Sequence, residues 1–171
     1  MEKASTARIA LKWGIITAIV SIIYTIVYYK TRLFQIPILS WMTFIFLLFG
    51  LIICIKEFKT TENSIISFSE SLSLGTLMSA ITGLVYQIFS NVYNTYIDPS
   101  VVEKMELIYK NQLQAQGLSP EKVVSEIEDA AKYTTPGLVF IEGIILHIIF
   151  GFVFSLIVSA IVKNSKPEME F

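Results

Sequence analysis

Residues 138–162 read LVFIEGIILHIIFGFVFSLIVSAIV, a nearly continuous apolar stretch. A helix of this length, rising about 1.5 Å per residue, can cross the roughly 30 Å hydrocarbon core of a bilayer. Its Leu, Ile, Val and Phe residues each favour insertion by roughly 0.3–0.6 kcal/mol, and together they outweigh a cost of about 3 kcal/mol for one charged residue. We therefore predict that this stretch is a membrane-spanning helix.

Three earlier stretches of similar length and composition lie at 13–29, 33–55 and 71–97. Of the 171 residues, 54% are apolar and only 16% are charged, and the mean hydropathy is +0.65. This composition exceeds the apolar share of ordinary globular domains. The sequence predicts an all-α membrane protein, a single membrane domain over 1–171. Its four transmembrane helices are expected at about 13–29, 35–55, 71–97 and 138–162.

A polar insert separates the third and fourth stretches and carries the start and stop signals of two helices. Asp98 and Pro99 are typical of an N-cap followed by the first helical position, and Gly117 is typical of a helix end. The segment SPE at 119–121 repeats the start signal. We predict a helical hairpin over 98–137, which either closes on itself and on the mouth of the bundle or serves as a docking module for a partner.

The charges and the tyrosines indicate on which side of the membrane the insert lies. The insert holds seven acidic and four basic residues. Cytoplasmic segments tend to carry basic residues near the helix ends, so an insert in which acidic residues outnumber basic ones is expected on the opposite side. All eight tyrosines fall in the halves or loops at the insert's side, as an interfacial aromatic belt would. We expect an extracytoplasmic hairpin and both termini in the cytoplasm.

The third and fourth stretches carry matching rows of small residues at intervals of four. Such rows let two helices approach closely within a bilayer. We predict that these helices pack together along the rows. The row of the third helix is Gly75, Ser79 and Gly83, and that of the fourth is Gly143, Gly151, Ser155 and Ser159.

Four polar residues interrupt the same two stretches: Gln87, Asn91, Glu142 and His147. We treat them as a candidate intramembrane polar cluster, because polar groups facing lipid lack hydrogen-bond partners. Glu142 and His147 are five residues apart, about 140° around a helix, and do not share a face. Two interpretations remain open: His147 and Glu142 are structural, or one of them belongs to a proton or ion path.

Several function classes are excluded by composition. The net charge of −1 and the lack of a basic run give no basis for nucleic-acid binding. The single cysteine excludes an internal disulfide and a multi-cysteine metal site. No glycine-rich phosphate loop, pair of histidines at metal spacing or pair of carboxylates in a plausible site is present. We predict no catalytic, metal-binding or cofactor-binding residue, and a protein that is not an enzyme.

Three segments in order resemble a known family. They are ISFSE at 66–70 leading into Gly75, YIDP at 96–99, and the charged helical insert that follows. Over about residues 8–162 the chain resembles a bacterial family of small four-helix membrane proteins described as domain of unknown function 4199. The resemblance implies a multi-pass protein of the bacterial cytoplasmic (inner) membrane, and it assigns no catalytic or binding residue.

Two functions follow as expectations. The first is a non-enzymatic accessory or structural subunit that acts through protein or lipid contacts. Its partners would be the bilayer, a membrane or periplasmic protein bound through 98–137, or a second copy of the chain. The alternative is a small transporter or ion-coupled channel component that uses His147 in the bundle interior.

Overall fold

The computed structural model describes residues 6–31, 33–61 and 66–163, and every secondary-structure element in these ranges is helical. The extreme termini, which we predict to be cytoplasmic, lie outside the described residues. Two short 3₁₀ turns, Leu33–Gln35 and Pro37–Trp41, precede the second long helix, and a π-helical turn, Tyr93–Ile97, follows the third. The long helices are α1 (Thr6–Lys30), α2 (Met42–Thr61), α3 (Phe68–Val92), α4 (Ser100–Ala115), α5 (Pro120–Tyr133) and α6 (Pro136–Val162).

Four segments are long and apolar enough to cross a membrane: Thr6–Lys30, Ile38–Thr61, Phe68–Ile97 and Pro136–Val162. The prediction of an all-α membrane protein with four transmembrane helices is confirmed, and the chain is a multi-pass membrane protein. The end of the bundle near α4 and α5 is called the insert end. The opposite end, where α1 begins and α6 finishes, is called the terminal end.

The start of α2 differs from the prediction. The apolar pattern places a helix from residue 35, whereas α2 begins at Met42 after the 3₁₀ turn Pro37–Trp41. Ile36 is extended, with φ −110° and ψ 93°, because the residue before a proline is disfavoured in the helical region. Hydrophobicity alone cannot reveal this change of backbone geometry.

The bounds of α3 follow local backbone chemistry. α3 begins at Phe68, earlier than the predicted residue 71, because Ser67 and Glu70 form a reciprocal capping box. The Ser67 hydroxyl accepts from the Glu70 N–H at 3.2 Å, and the Glu70 carboxylate accepts from the Ser67 N–H at 3.0 Å. At the other end, the Asp98 N–H donates to the Tyr93 carbonyl at 2.8 Å and closes the π turn.

The insert folds into the two helices that its start and stop signals predict. Gly117 ends the α4 region with a φ of +79°, the left-handed conformation in which glycine avoids a side-chain clash. The expected N-cap at Asp98 is wrong in detail, since α4 begins at Ser100 and Pro99 occupies the cap position. The Asp98 carboxylate accepts from the Ser100 hydroxyl instead of a backbone N–H.

The bundle is apolar outside and has small polar residues inside. Large side chains such as Ile23, Phe49 and Ile161 are exposed on its outer surface, where lipid replaces water as the solvent. Ser21 and Thr82 are fully buried. The Thr82 hydroxyl donates to the carbonyl oxygens of Met78 and Gly14, so that a buried hydroxyl joins α3 to α1.

The most extensive contact between two helices of the bundle lies between α3 and α6, and we call it the α3–α6 seam. At each step along the seam, a small residue of one helix faces a side chain of the other. A Cβ atom at Gly83, for example, would lie 2.6 Å from the Cβ of His147. The facing pairs are Ser71 with Ser159, Gly75 with Ser155, Ser79 with Gly151, Gly83 with His147, and Gln87 with Gly143.

Polar side chains join the helices at the terminal end. The Glu57 carboxylate of α2 accepts from the Lys12 ammonium at 2.8 Å and from the Trp13 indole N–H at 2.8 Å. Lys59 donates to the Val162 carbonyl at 3.0 Å, which satisfies a carbonyl at the end of α6. These contacts lie where lysine side chains of a membrane helix can reach water.

The seam predicts that Gly151→Leu destabilises the protein, because the new side chain would collide with Ser79. Overpacking of this kind typically lowers the free energy of unfolding by roughly 1–3 kcal/mol. Gly137→Leu is the matched control, since a Cβ atom at Gly137 has no neighbour within 4 Å. Reversible unfolding in mixed micelles measures both variants, and equal stability would contradict the packing described.

Candidate functional site

His147 lies in the interior of the bundle, between α2, α3 and α6. Its side chain is 3% exposed, and its ring centroid is 5.2 Å from that of Phe44 and 5.4 Å from that of Tyr86. Nδ1 lies 2.8 Å from the Gly143 carbonyl oxygen, so the imidazole donates there when Nδ1 carries the proton. Nε2 is buried and has no hydrogen-bond partner among the described residues.

The structure brings only part of the candidate polar cluster together. Gln87 is buried against Gly143, the same residue whose carbonyl faces His147. Asn91 lies one turn further along α3 and donates to the Pro136 carbonyl at 3.2 Å, beside the start of α6. Glu142 is exposed on the outer side of α6, away from the seam. Gln87 and His147 are therefore the two buried members, each beside Gly143, and Glu142 stands apart.

A second site lies at the insert end and is lined by tyrosines. A cavity of about 280 Å³, which we call the tyrosine cavity, lies between the bundle and α4. Tyr24, Tyr28 and Tyr29 of α1 line one wall, and Tyr86 of α3 lines another. The hydroxyl groups of Tyr86 and Thr25 are 3.0 Å apart and hydrogen-bonded.

Helix α4 covers the tyrosine cavity with one of its faces. Met105, Ile108, Tyr109 and Gln112 recur at helical spacing and all line it. The sequence reasoning missed this site, although its signal is visible in the tyrosines clustered toward one side. That clustering indicates an aromatic belt, but only the folded chain shows that several of these rings surround one space.

The opposite faces of α4 and α5 form the outer surface of the insert. Only Val101, Leu113 and Val123 are buried apolar residues in the two helices, and α5 packs mainly on α4. Val124 is 55% exposed, and Leu107 and Tyr133 are also exposed. The insert therefore offers a surface with both charged and apolar side chains and has little core of its own.

Asp98 joins the insert to the bundle. Its carboxylate accepts from the Ser100 hydroxyl at 2.5 Å and lies 3.6 Å from the Lys30 ammonium at the end of α1. The hydrogen bond from Ser100, aided by the nearby positive charges of Lys104 and Lys30, holds the pKa of the Asp98 carboxyl below its ordinary value of 3.8. This ion pair is exposed and therefore contributes to position more than to stability.

Metal binding finds no support within the described ranges, since no three His, Cys, Asp or Glu side chains come close enough together to hold an ion.

Comparison with known proteins identifies a family. Residues 12–164 match the family described as Protein of unknown function (DUF4199). Because this match covers most of the chain, the protein belongs to that family. Neither a curated protein nor a solved structure matches the chain.

The geometry around Asp98 predicts that Ser100→Ala raises the pKa of the Asp98 carboxyl toward 3.8, because the largest cause of its lowering is removed. The stabilising contribution of this carboxylate is present above pH 3.8 and is lost as the pH falls through the lower folded-state pKa. Carboxyl-carbon NMR titration in micelles measures the change. Ser125→Ala, at an exposed position on α5, is the control, and an unchanged Asp98 pKa in Ser100→Ala would contradict the assignment.

Proposed function

We propose that this member of the DUF4199 family is a non-enzymatic accessory subunit that binds a membrane or periplasmic protein through α4 and α5. The observation that carries the proposal is the outer surface of the insert. The two helices bury few apolar side chains between them and expose Val124, Leu107 and Tyr133 among charged residues. A surface in which apolar anchors are surrounded by polar groups fits the usual anatomy of a protein interface.

The charge of the insert favours a protein partner over the lipid surface. Seven acidic and four basic residues give residues 98–137 a net negative charge. Anionic lipid head groups would repel such a surface, whereas a basic protein surface would be attracted to it. We therefore assign to the partner a basic patch that surrounds an apolar contact.

The proposal places the insert on the extracytoplasmic side of a bacterial cytoplasmic membrane, with both termini in the cytoplasm. The distribution of basic residues supports this orientation, and so do the tyrosines gathered at the insert end. A second copy of the chain is the competing partner, and a crosslinking experiment separates the two.

The alternative function is a small transporter or ion-coupled channel component. The unpartnered Nε2 of His147 favours it, because a buried polar atom without a partner is a candidate for water or proton contact. The α3–α6 seam favours the accessory role, because side chains of each helix occupy the gaps left by glycines of the other. The interior next to His147 is thereby filled with protein.

A photo-crosslinking amino acid at position 124 tests the accessory role in native membranes. We expect one protein partner, captured in a yield that falls several-fold when Glu121 and Glu128 are both changed to lysine, since the charge reversal repels a basic surface. The matched control is the same crosslinker at position 23, which is exposed on the outer surface of α1. That position should capture lipid and should not respond to the charge reversal.

Two outcomes of the crosslinking would contradict the accessory role. Crosslinks from position 124 only to a second copy of the chain would identify an oligomer instead. Lipid crosslinks alone, with no effect of the charge reversal, would assign the insert to the membrane surface.

Proton flux tests the alternative function. We expect liposomes that contain the protein to leak protons no faster than empty liposomes, because the seam fills the space beside His147. An internal pH-sensitive dye measures the leak after a pH jump, and His147→Ala serves as the paired variant. A leak that the wild-type protein produces and His147→Ala abolishes would favour the transporter.

A further inference from the structure

We infer that the tyrosine cavity binds a flat, uncharged ring that carries hydrogen-bond-accepting oxygens, the chemistry of a quinone head group. The cavity is a different site from the outer surface of the insert. It lies on the inner side of α4, between that helix and the ends of the membrane-spanning helices. A failed test of the ring site would therefore leave the proposed protein partner unaffected, and a failed test of the partner would leave the ring site unaffected.

The lining of the cavity disfavours a charged ligand on energetic grounds. None of the described residues that line it is charged. An anion would lose its hydration there without meeting a positive group, which is strongly unfavourable. A cation could be held by aromatic faces, but the rings of Tyr24 and Tyr28 stack on each other at 6.0 Å, and Tyr28 contacts Tyr29 at 5.6 Å. These faces are already partly covered.

A tyrosine hydroxyl in the lining can donate a hydrogen bond to a ligand. Tyr28 lines the cavity, and its side chain is only 5% exposed. Neighbouring hydroxyls are already occupied, since Tyr24 donates to the Leu39 carbonyl at 2.7 Å and Tyr86 is bonded to Thr25. A phenol hydroxyl that faces a cavity can donate to an accepting oxygen of a ligand or to water. A ligand oxygen can accept from Tyr28.

The size and position of the cavity limit the ligand further. A volume of about 280 Å³ is close to the lower end of small-molecule sites, which run from roughly 300 to 1,000 Å³. It suits a single ring. The tyrosine walls belong to membrane-spanning segments, and Met105 and Ile108 of α4 cover the side away from the bilayer. A ring carried on an apolar tail would come from lipid, and the same ring without a tail would come from water.

Binding to the full chain in nanodiscs tests the inference. The probes are a dimethoxy-methyl-benzoquinone with a decyl tail and tetramethyl-benzoquinone, which has no tail. Titration calorimetry, corrected with empty nanodiscs, separates saturable binding from partition into lipid. We expect saturable binding of at least one probe. Tighter binding of the tailed probe would indicate that the natural ligand comes from lipid. Equal binding of the two probes would indicate that a ligand with the same ring chemistry comes from water.

Three variants make the test specific to the cavity. Tyr28→Phe removes only the hydroxyl and should weaken binding about tenfold, the usual effect of one lost hydrogen bond. Met105→Trp fills the cavity from α4 and should abolish binding. Tyr96→Phe is the control, because Tyr96 is exposed on the π turn and does not line the cavity. It should bind as the wild type does. Circular dichroism and gel filtration check that each variant is folded.

The inference is overturned by any of three results. The first is non-saturable uptake of both probes. The second is identical binding in the wild type and in folded Met105→Trp. The third is saturable binding of tetramethylammonium without binding of either quinone, which would assign the tyrosines to a cation.

Discussion

The close approach of α3 and α6 is the contact on which the rest of the bundle depends. Within a bilayer, apolar side chains gain little by leaving lipid for one another, so association relies on close packing and on hydrogen bonds between helices. The α3–α6 seam supplies both. Gly83 leaves room for His147, and the Ser159 hydroxyl donates to that of Ser71 at 2.8 Å. The spacing of four residues is the same on both helices, so every pair along the seam meets in one register.

The register of the seam also connects the interior of the bundle with the insert end. Because Gly83 faces His147, the imidazole comes to lie against Tyr86, one residue before the seam residue Gln87. Tyr86 in turn reaches Thr25 of α1 and lines the tyrosine cavity. A change in how α3 meets α6 would therefore alter both the surroundings of His147 and the shape of the cavity.

Helix α4 has two faces with different environments. Met105 and Ile108 face the tyrosine cavity, whereas Leu107 is exposed. The π turn after α3 and the contacts of Asp98 with Ser100 and Lys30 determine how α4 starts over the bundle. The proposed protein surface and the proposed ring site thus share one helix without sharing a side chain.

The sequence by itself determined the four membrane-spanning helices and the two helices of the insert, because hydrophobic length, caps and Gly117 act locally along the chain. It also contained the rows of small residues on α3 and α6. Only the tertiary structure decided which residue of one row meets which residue of the other and that the tyrosines surround a cavity. Those outcomes depend on the relative rotation and offset of helices far apart in sequence, and spacing within one helix does not contain that information.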